Sequence, residues 1–384
     1  MRYTFYMNSN SLIGILLVNT GTPNAPTKKA VVQYLRRFLM DKRIVNIPSL
    51  IWWPILNAFV LRVRPTKTLG IYRRIWTPDG SPYTIHSQAL ERALKGELAS
   101  RGRSELVVRM AHRYGDPSMG EKLLEFQQHG IKRVIVLPLY PQQALATTAS
   151  VKDELDRQLT ALKYAPELTF IENYHSEALW IEAIANSIRP YLTAEKVDLG
   201  VQPAVQQEAH AKSRPEIQQG SQQGSRQEPE PQPGPGPEPG PEADTRSQTH
   251  LLLSFHSVPL KDIRKKDLYK QQIEQSVTDI AASLNLQQGS FSWAYHSRFD
   301  DAQRWLGPFL LDKLAALEAR GVKHLLVACP GFAVDCTESL YDIDIKLASE
   351  LKANGIDVSY TYVPCLNASQ AHIQALASIV ERAL

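Results

Sequence analysis

Short, largely apolar runs recur along this chain. In the first half they occupy 13–18, 106–110 and 134–137; in the second, 251–255, 291–295, 325–328 and 358–363. Largely apolar runs of this length between helical segments predict the covered strands of parallel sheets. Between them, 31–40, 85–99, 119–129, 177–191, 271–284 and 313–320 repeat apolar residues every three or four positions and predict helices with one buried face. Strand and helix alternate in both halves. The pattern therefore predicts an α/β fold of two Rossmann-like domains with mostly parallel sheets, over 1–200 and 251–384.

Residues 201–250 break the pattern. They hold ten glutamines and nine prolines, with Val201, Val205 and Ile217 the only large aliphatics. Such a segment buries too little surface to offset the cost of ordering it, so it reads as a disordered insertion, extended where proline is dense.

A second exception lies at 47–61, where Trp52, Trp53 and many aliphatics are interrupted by Pro48, Pro54 and Asn57 and flanked by Arg43, Arg62 and Arg64. The stretch is shorter than the roughly 20 apolar residues of a spanning helix. Three readings stay open: a buried helix, a lip touching lipid or an apolar substrate, and a true span. The short apolar run near the N-terminus has no small-residue cleavage site after it and reads as a first strand, not a signal peptide.

Composition narrows the class. With 384 residues, 43% hydrophobic and 21% charged, the chain is an ordinary globular protein of one large or two average domains. Its net charge of +4 shows no concentrated basic patch and gives no reason to expect nucleic acid as a partner. The three cysteines, Cys329, Cys336 and Cys365, are too few for a disulfide framework and suit a reducing cytosol.

Ligands of open α/β sheets bind beyond the carboxyl ends of the strands. Three strand ends carry notable residues. Residues 15–23 run into a Gly/Pro turn, 251–259 put His256 at a strand tip, and 325–340 run through Pro330-Gly331 towards a helix start. There Asp335 is the expected N-cap, with Glu338 three residues on as its capping-box partner. From the residues alone, His256 reads equally as a structural histidine and as a functional base, and Glu338 as a cap or a ligand.

At these same positions the sequence resembles the ferrochelatase family. Ser254-Phe-His-Ser-Val-Pro259 and Pro330-Gly-Phe-Ala-Val-Asp-Cys-Thr-Glu-Ser-Leu340 are similar to its two motifs in the second half. Leu17-Val-Asn-Thr-Gly-Thr-Pro23, Tyr72-Arg-Arg-Ile75, Gly80-Ser-Pro82, Arg113-Tyr-Gly115, Pro138-Leu-Tyr-Pro-Gln142, Ser297-Arg-Phe299, Trp305-Leu306 and Pro364-Cys-Leu-Asn367 match further family blocks in order. The resemblance runs from about residue 12 to the end, outside the insertion.

The resemblance implies a porphyrin cleft between the two domains, with His256 and Glu338 facing each other across the macrocycle as catalytic pair and metal ligands. Insertion replaces two pyrrole N–H protons by one divalent cation. A near-neutral imidazole suits the proton transfer, and imidazole and carboxylate both suit Fe²⁺. Asp335 is implied as a third catalytic residue orienting His256 or the metal. Arg64 and Lys67 on the lip (47–67), Tyr72 and Ser81 are implied near the propionates, Arg113 and Tyr114 as a pocket pair, and Trp305 as a pocket wall.

Some positions depart from the family. Thr20 stands where coproporphyrin-type members have tyrosine, which with the apolar lip leans towards protoporphyrin IX. Gln143 replaces a common aromatic. His296 replaces a usual glutamine and reads as a tolerated pocket change or a packing residue. Glu338 and Asp342, one turn apart, form an acidic strip that Lys346 cuts short. Three cysteines cannot supply four thiolate ligands to an iron–sulfur cluster, so none is expected, and no cofactor is required beyond Fe²⁺ as substrate.

The expected partners are protoporphyrin IX and ferrous iron. The expected location is cytoplasmic, with peripheral membrane contact through 47–63 as a further expectation. Insertion of another metal or use of coproporphyrin III is an alternative; so is a haem-binding protein without turnover.

Overall fold

The computed structural model describes residues 12–193, 249–263, 267–297 and 304–384. The expected insertion at 201–250 lies outside them except for Thr249 and His250, which already belong to a strand. His250 is buried and its Nε2 pairs with Ser292 Oγ at 2.8 Å.

The first sheet contains β1 (Ile13–Asn19), β2 (Leu106–His112), β3 (Arg133–Pro138) and β4 (Glu167–Phe170) in the order β2-β1-β3-β4. The second contains β5 (Thr249–His256), β6 (Phe291–His296), β7 (His324–Ala328) and β8 (Ser359–Val363) in the order β6-β5-β7-β8. Every pairing is parallel, so the two halves repeat one doubly wound topology. The apolar runs become strands because helices cover both faces: Ile15 to Val18 and Leu251 to Phe255 are fully or almost fully buried. One apolar cluster takes in Ile15 and Leu17 of β1 together with Leu251, Leu253 and Phe255 of β5, and the two halves share that core.

The 47–61 stretch enters a nearly continuous helical run, Ser49–Ile55, Leu56–Val60 and Leu61–Ile75, with a wider π-type turn in the middle. Leu56 is buried and the Trp52 indole N–H donates to the Leu39 carbonyl at 2.7 Å, which pins one face. The other face is bare: Leu50 is 93% exposed, Val63 76% and Phe59 70%. The buried-helix reading is therefore corrected. No helix among the described residues is long and apolar enough to cross a membrane, which removes the spanning reading as well.

Candidate active site

The carboxyl ends of both sheets face a cavity of about 1260 Å³ lined from both halves. In each sheet the strand order reverses around its first strand, β1 or β5, and there the connections leave a crevice. His256 ends β5, and Glu338 follows β7, its neighbour across that reversal; both line the cavity.

His256 is half-buried, and its Nδ1 lies 2.6 Å from the Ser257 carbonyl oxygen. A carbonyl only accepts, so Nδ1 carries the hydrogen and Nε2 keeps the lone pair. The Tyr269 hydroxyl donates to the His256 carbonyl at 3.1 Å and holds the strand end.

Glu338 is the second residue of a π-helical segment, Thr337–Lys346, a wide-turn geometry enriched at functional sites. Asp342 lies on the same segment and accepts a short hydrogen bond from Ser297 Oγ. Burial pushes the Asp342 carboxyl up, as does the charge of Glu338, against that hydrogen bond. Lys346 is exposed and pairs with Glu350 at 2.7 Å.

Asp335 does not cap this helix. The cap is Cys336, whose N–H donates to Ser339 Oγ at 3.0 Å. Asp335 turns the other way and accepts from Tyr362 Oη (2.5 Å), Cys365 N (3.1 Å), Asn367 Nδ2 (2.8 Å) and Ser339 Oγ (3.3 Å). The capping-box expectation is thereby corrected: donors from the end of β8 and the loop beyond it outbid the helix terminus. None of these partners is His256, so Asp335 bears on the site by fixing the start of the helix that carries Glu338.

The remaining expected residues separate into two groups. Thr20, Arg64, Lys67, Tyr72, Ser81 and Trp305 line the cavity, with Tyr72 and Ser81 buried and Lys67 exposed. Thr20 Oγ1 lies 2.8 Å from Tyr140 Oη. Gly21, after Thr20, has φ of +98°, and a Cβ there would come within 2.6 Å of the Gly115 nitrogen, so the turn requires glycine.

Arg113 and Tyr114 also touch the cavity, yet their polar groups point into the protein. The guanidinium reaches Asp41 (2.7 Å) and Ser150 Oγ (2.8 Å), and Tyr114 Oη donates to Asp41 at 2.8 Å. Gln143 is held outside the cavity lining, its N–H donating to Gln272 Oε1 at 2.7 Å.

Tyr34 lines the cavity and was not legible in sequence, because on a helix with Val31, Leu35 and Leu39 it reads as one more core position. Burial pushes its phenol pKa well up, so it remains a hydrogen-bond donor. His296 is buried on the same cavity wall, and burial pushes its imidazole towards the neutral form. Cys329, Cys336 and Cys365 are all free and buried, with Cys336 on the cavity wall.

The family model described as Ferrochelatase matches residues 12–210 and 238–384. A protein named Ferrochelatase from Methylococcus capsulatus is 38% identical over 96% of this chain and 95% of its own. Its namesake from Marinobacter nauticus is 33% identical over 97% of this chain and 87% of its own. A third, from Xanthomonas axonopodis pv. citri, is 34% identical over 98% of this chain and its whole length. The solved structure of SirB from Bacillus subtilis with Fe³⁺ overlays with a TM-score of 0.45 at 11% identity, covering 97% of this chain and 95% of that one. The chain belongs to the ferrochelatase family, the enzymes that insert a metal ion into a porphyrin on the way to haem.

Proposed function

We propose that the cavity takes protoporphyrin IX and ferrous iron and returns protohaem and two protons, with His256 and Glu338 as the reacting pair. The observation that supports this most directly is that His256, at the end of β5, and Glu338, on the helix that follows the neighbouring strand β7, line the same cavity, the first with an Nε2 lone pair. In that reading Nε2 accepts a pyrrole proton as a nitrogen–iron bond forms, and the second proton leaves with the second bond. Glu338 ligates the incoming Fe²⁺ and, with Asp342, carries protons outward.

Arg64 and Lys67, on the lip side of the cavity, meet the propionates, with Tyr72 and Ser81 behind them. Thr20, bonded to Tyr140, and the apolar lip favour vinyl groups over the extra propionates of coproporphyrin III. No cofactor beyond the substrate iron enters this scheme. The protein works in the cytoplasm, and the exposed face around Leu50, Phe59 and Val63, flanked by Arg43 and Arg62, rests on a membrane surface. We treat 12–193 and 249–384 as its two domains.

Substrate choice is tested by metallation of equal amounts of protoporphyrin IX and coproporphyrin III. The expected result is a higher kcat/KM for protoporphyrin IX. A preference for coproporphyrin III overturns the assignment.

A further inference from the structure

His296 is the register partner of His256: β5 and β6 run parallel with these two residues side by side at their carboxyl ends. Ser254 and His256 are two residues apart on β5, so their side chains share a face of the sheet. The His296 ring fits against both. Its Nδ1 lies 2.7 Å from Ser254 Oγ, and its ring stands edge-to-face to His256, with centroids 6.1 Å apart and planes at 77°. Phe332, from the turn after β7, closes the other side at 5.8 Å.

The ring is buried, and Nε2 makes no hydrogen bond among the described residues. Leaving such a nitrogen unpaired costs about 1–3 kcal/mol, so the position calls for a reason. Hydrogen-bond accounting narrows it. Among the described residues Ser254 Oγ has no other partner, so its hydroxyl donates to Nδ1 and the imidazole hydrogen sits on Nε2. One nitrogen is thus spent on anchoring the ring, and the ring itself is what meets His256.

We propose that His296 is a positioning residue for His256: its buried, Ser254-anchored ring is the wall that stops His256 turning about its side-chain bonds and keeps Nε2 available to the cavity. The Ser257 carbonyl fixes the His256 tautomer from the backbone side, and His296 fixes the plane of the ring. A base misplaced by about 1 Å can lose on the order of 100-fold in rate, so the wall has a kinetic consequence through His256. This inference rests on the reading of His256 as the proton acceptor.

The test compares His296→Ala, which removes the wall, with His296→Phe, which keeps a flat ring. Fe²⁺ insertion into protoporphyrin IX gives kcat and KM, fluorescence quenching gives the porphyrin Kd, and ¹⁵N spectra of the His256 ring report its tautomer. His296→Ala is expected to lose about 10- to 100-fold in kcat with Kd within about threefold, and to show mixed His256 tautomers. His296→Phe should stay within about threefold of wild type in kcat, with the wild-type tautomer.

Should His296→Ala not fold, His296→Val keeps an apolar filling while removing the ring and is expected to lower kcat several-fold at unchanged Kd. The proposal is overturned if the alanine variant keeps its kcat, if phenylalanine loses as much as alanine, or if the whole loss appears in Kd. A His256→Ala protein that turns over normally would instead remove the base assignment itself, and with it this role; an inactive His256→Ala beside an active His296→Ala removes only the role of His296.

Discussion

Arg113 places its guanidinium 2.7 Å from the carboxylate of Asp41, and both side chains are almost wholly enclosed. Asp41 also accepts from Tyr114 and Ser150, so it is a buried anion whose balancing cation is Arg113. Removing one partner of such a pair leaves an uncompensated buried charge.

Arg113→Ala is therefore expected to cost about 3 kcal/mol in denaturant unfolding, with the porphyrin Kd of the remaining folded protein changed by less than about threefold, since one hydrogen bond to substrate would shift it about tenfold. A large loss of porphyrin affinity at unchanged stability would show instead that Arg113 meets the substrate.

His372 supplies a pH dependence of stability. It is fully buried, its Nδ1 lies 2.7 Å from the Asn367 carbonyl, and burial lowers its pKa to about 4. A histidine with a depressed folded-state pKa contributes stability above its unfolded value of roughly 6.5, and that contribution is lost as pH falls towards 4. The loss at pH 5 amounts to about 2 kcal/mol relative to pH 7.5. His372→Gln should flatten that part of the stability–pH curve by a similar amount; an unchanged slope would mean that the buried imidazole is not what the acid titrates.

The lip gives a prediction independent of catalysis. Leu50, Phe59 and Val63 project from the helical run and bury little, so replacing all three by serine should change stability by less than about 1 kcal/mol. The same variant should lose most of its co-sedimentation with anionic phosphatidylglycerol vesicles if this face rests on membrane. Equal sedimentation of both proteins would contradict the membrane contact.

Much of this fold is legible in the chain, for a simple reason. Covered strands are mostly apolar, and β1, β2, β3, β5, β6, β7 and β8 each fall on a largely apolar run. β4 escapes because Glu167-Leu-Thr-Phe170 is a four-residue strand at the sheet edge with no fully buried position. Whether 337–346 turns as an α- or a π-helix is also invisible, since ten residues are too few to separate the two periods. Asp335 misleads because its donors, Tyr362, Cys365 and Asn367, come from about thirty residues downstream, and local spacing sees only the helix start. The wall role of His296 depends on strand register, which no local pattern contains.

The central claim is tested most directly by anaerobic Fe²⁺ insertion into protoporphyrin IX by wild type, His256→Ala and Glu338→Ala, each checked for unchanged thermal unfolding. The account predicts turnover by wild type and a loss of at least about 100-fold in kcat for each variant, the usual scale of a positioned acid–base group. Full turnover by either variant, or porphyrin binding by wild type without insertion of the metal, would contradict it.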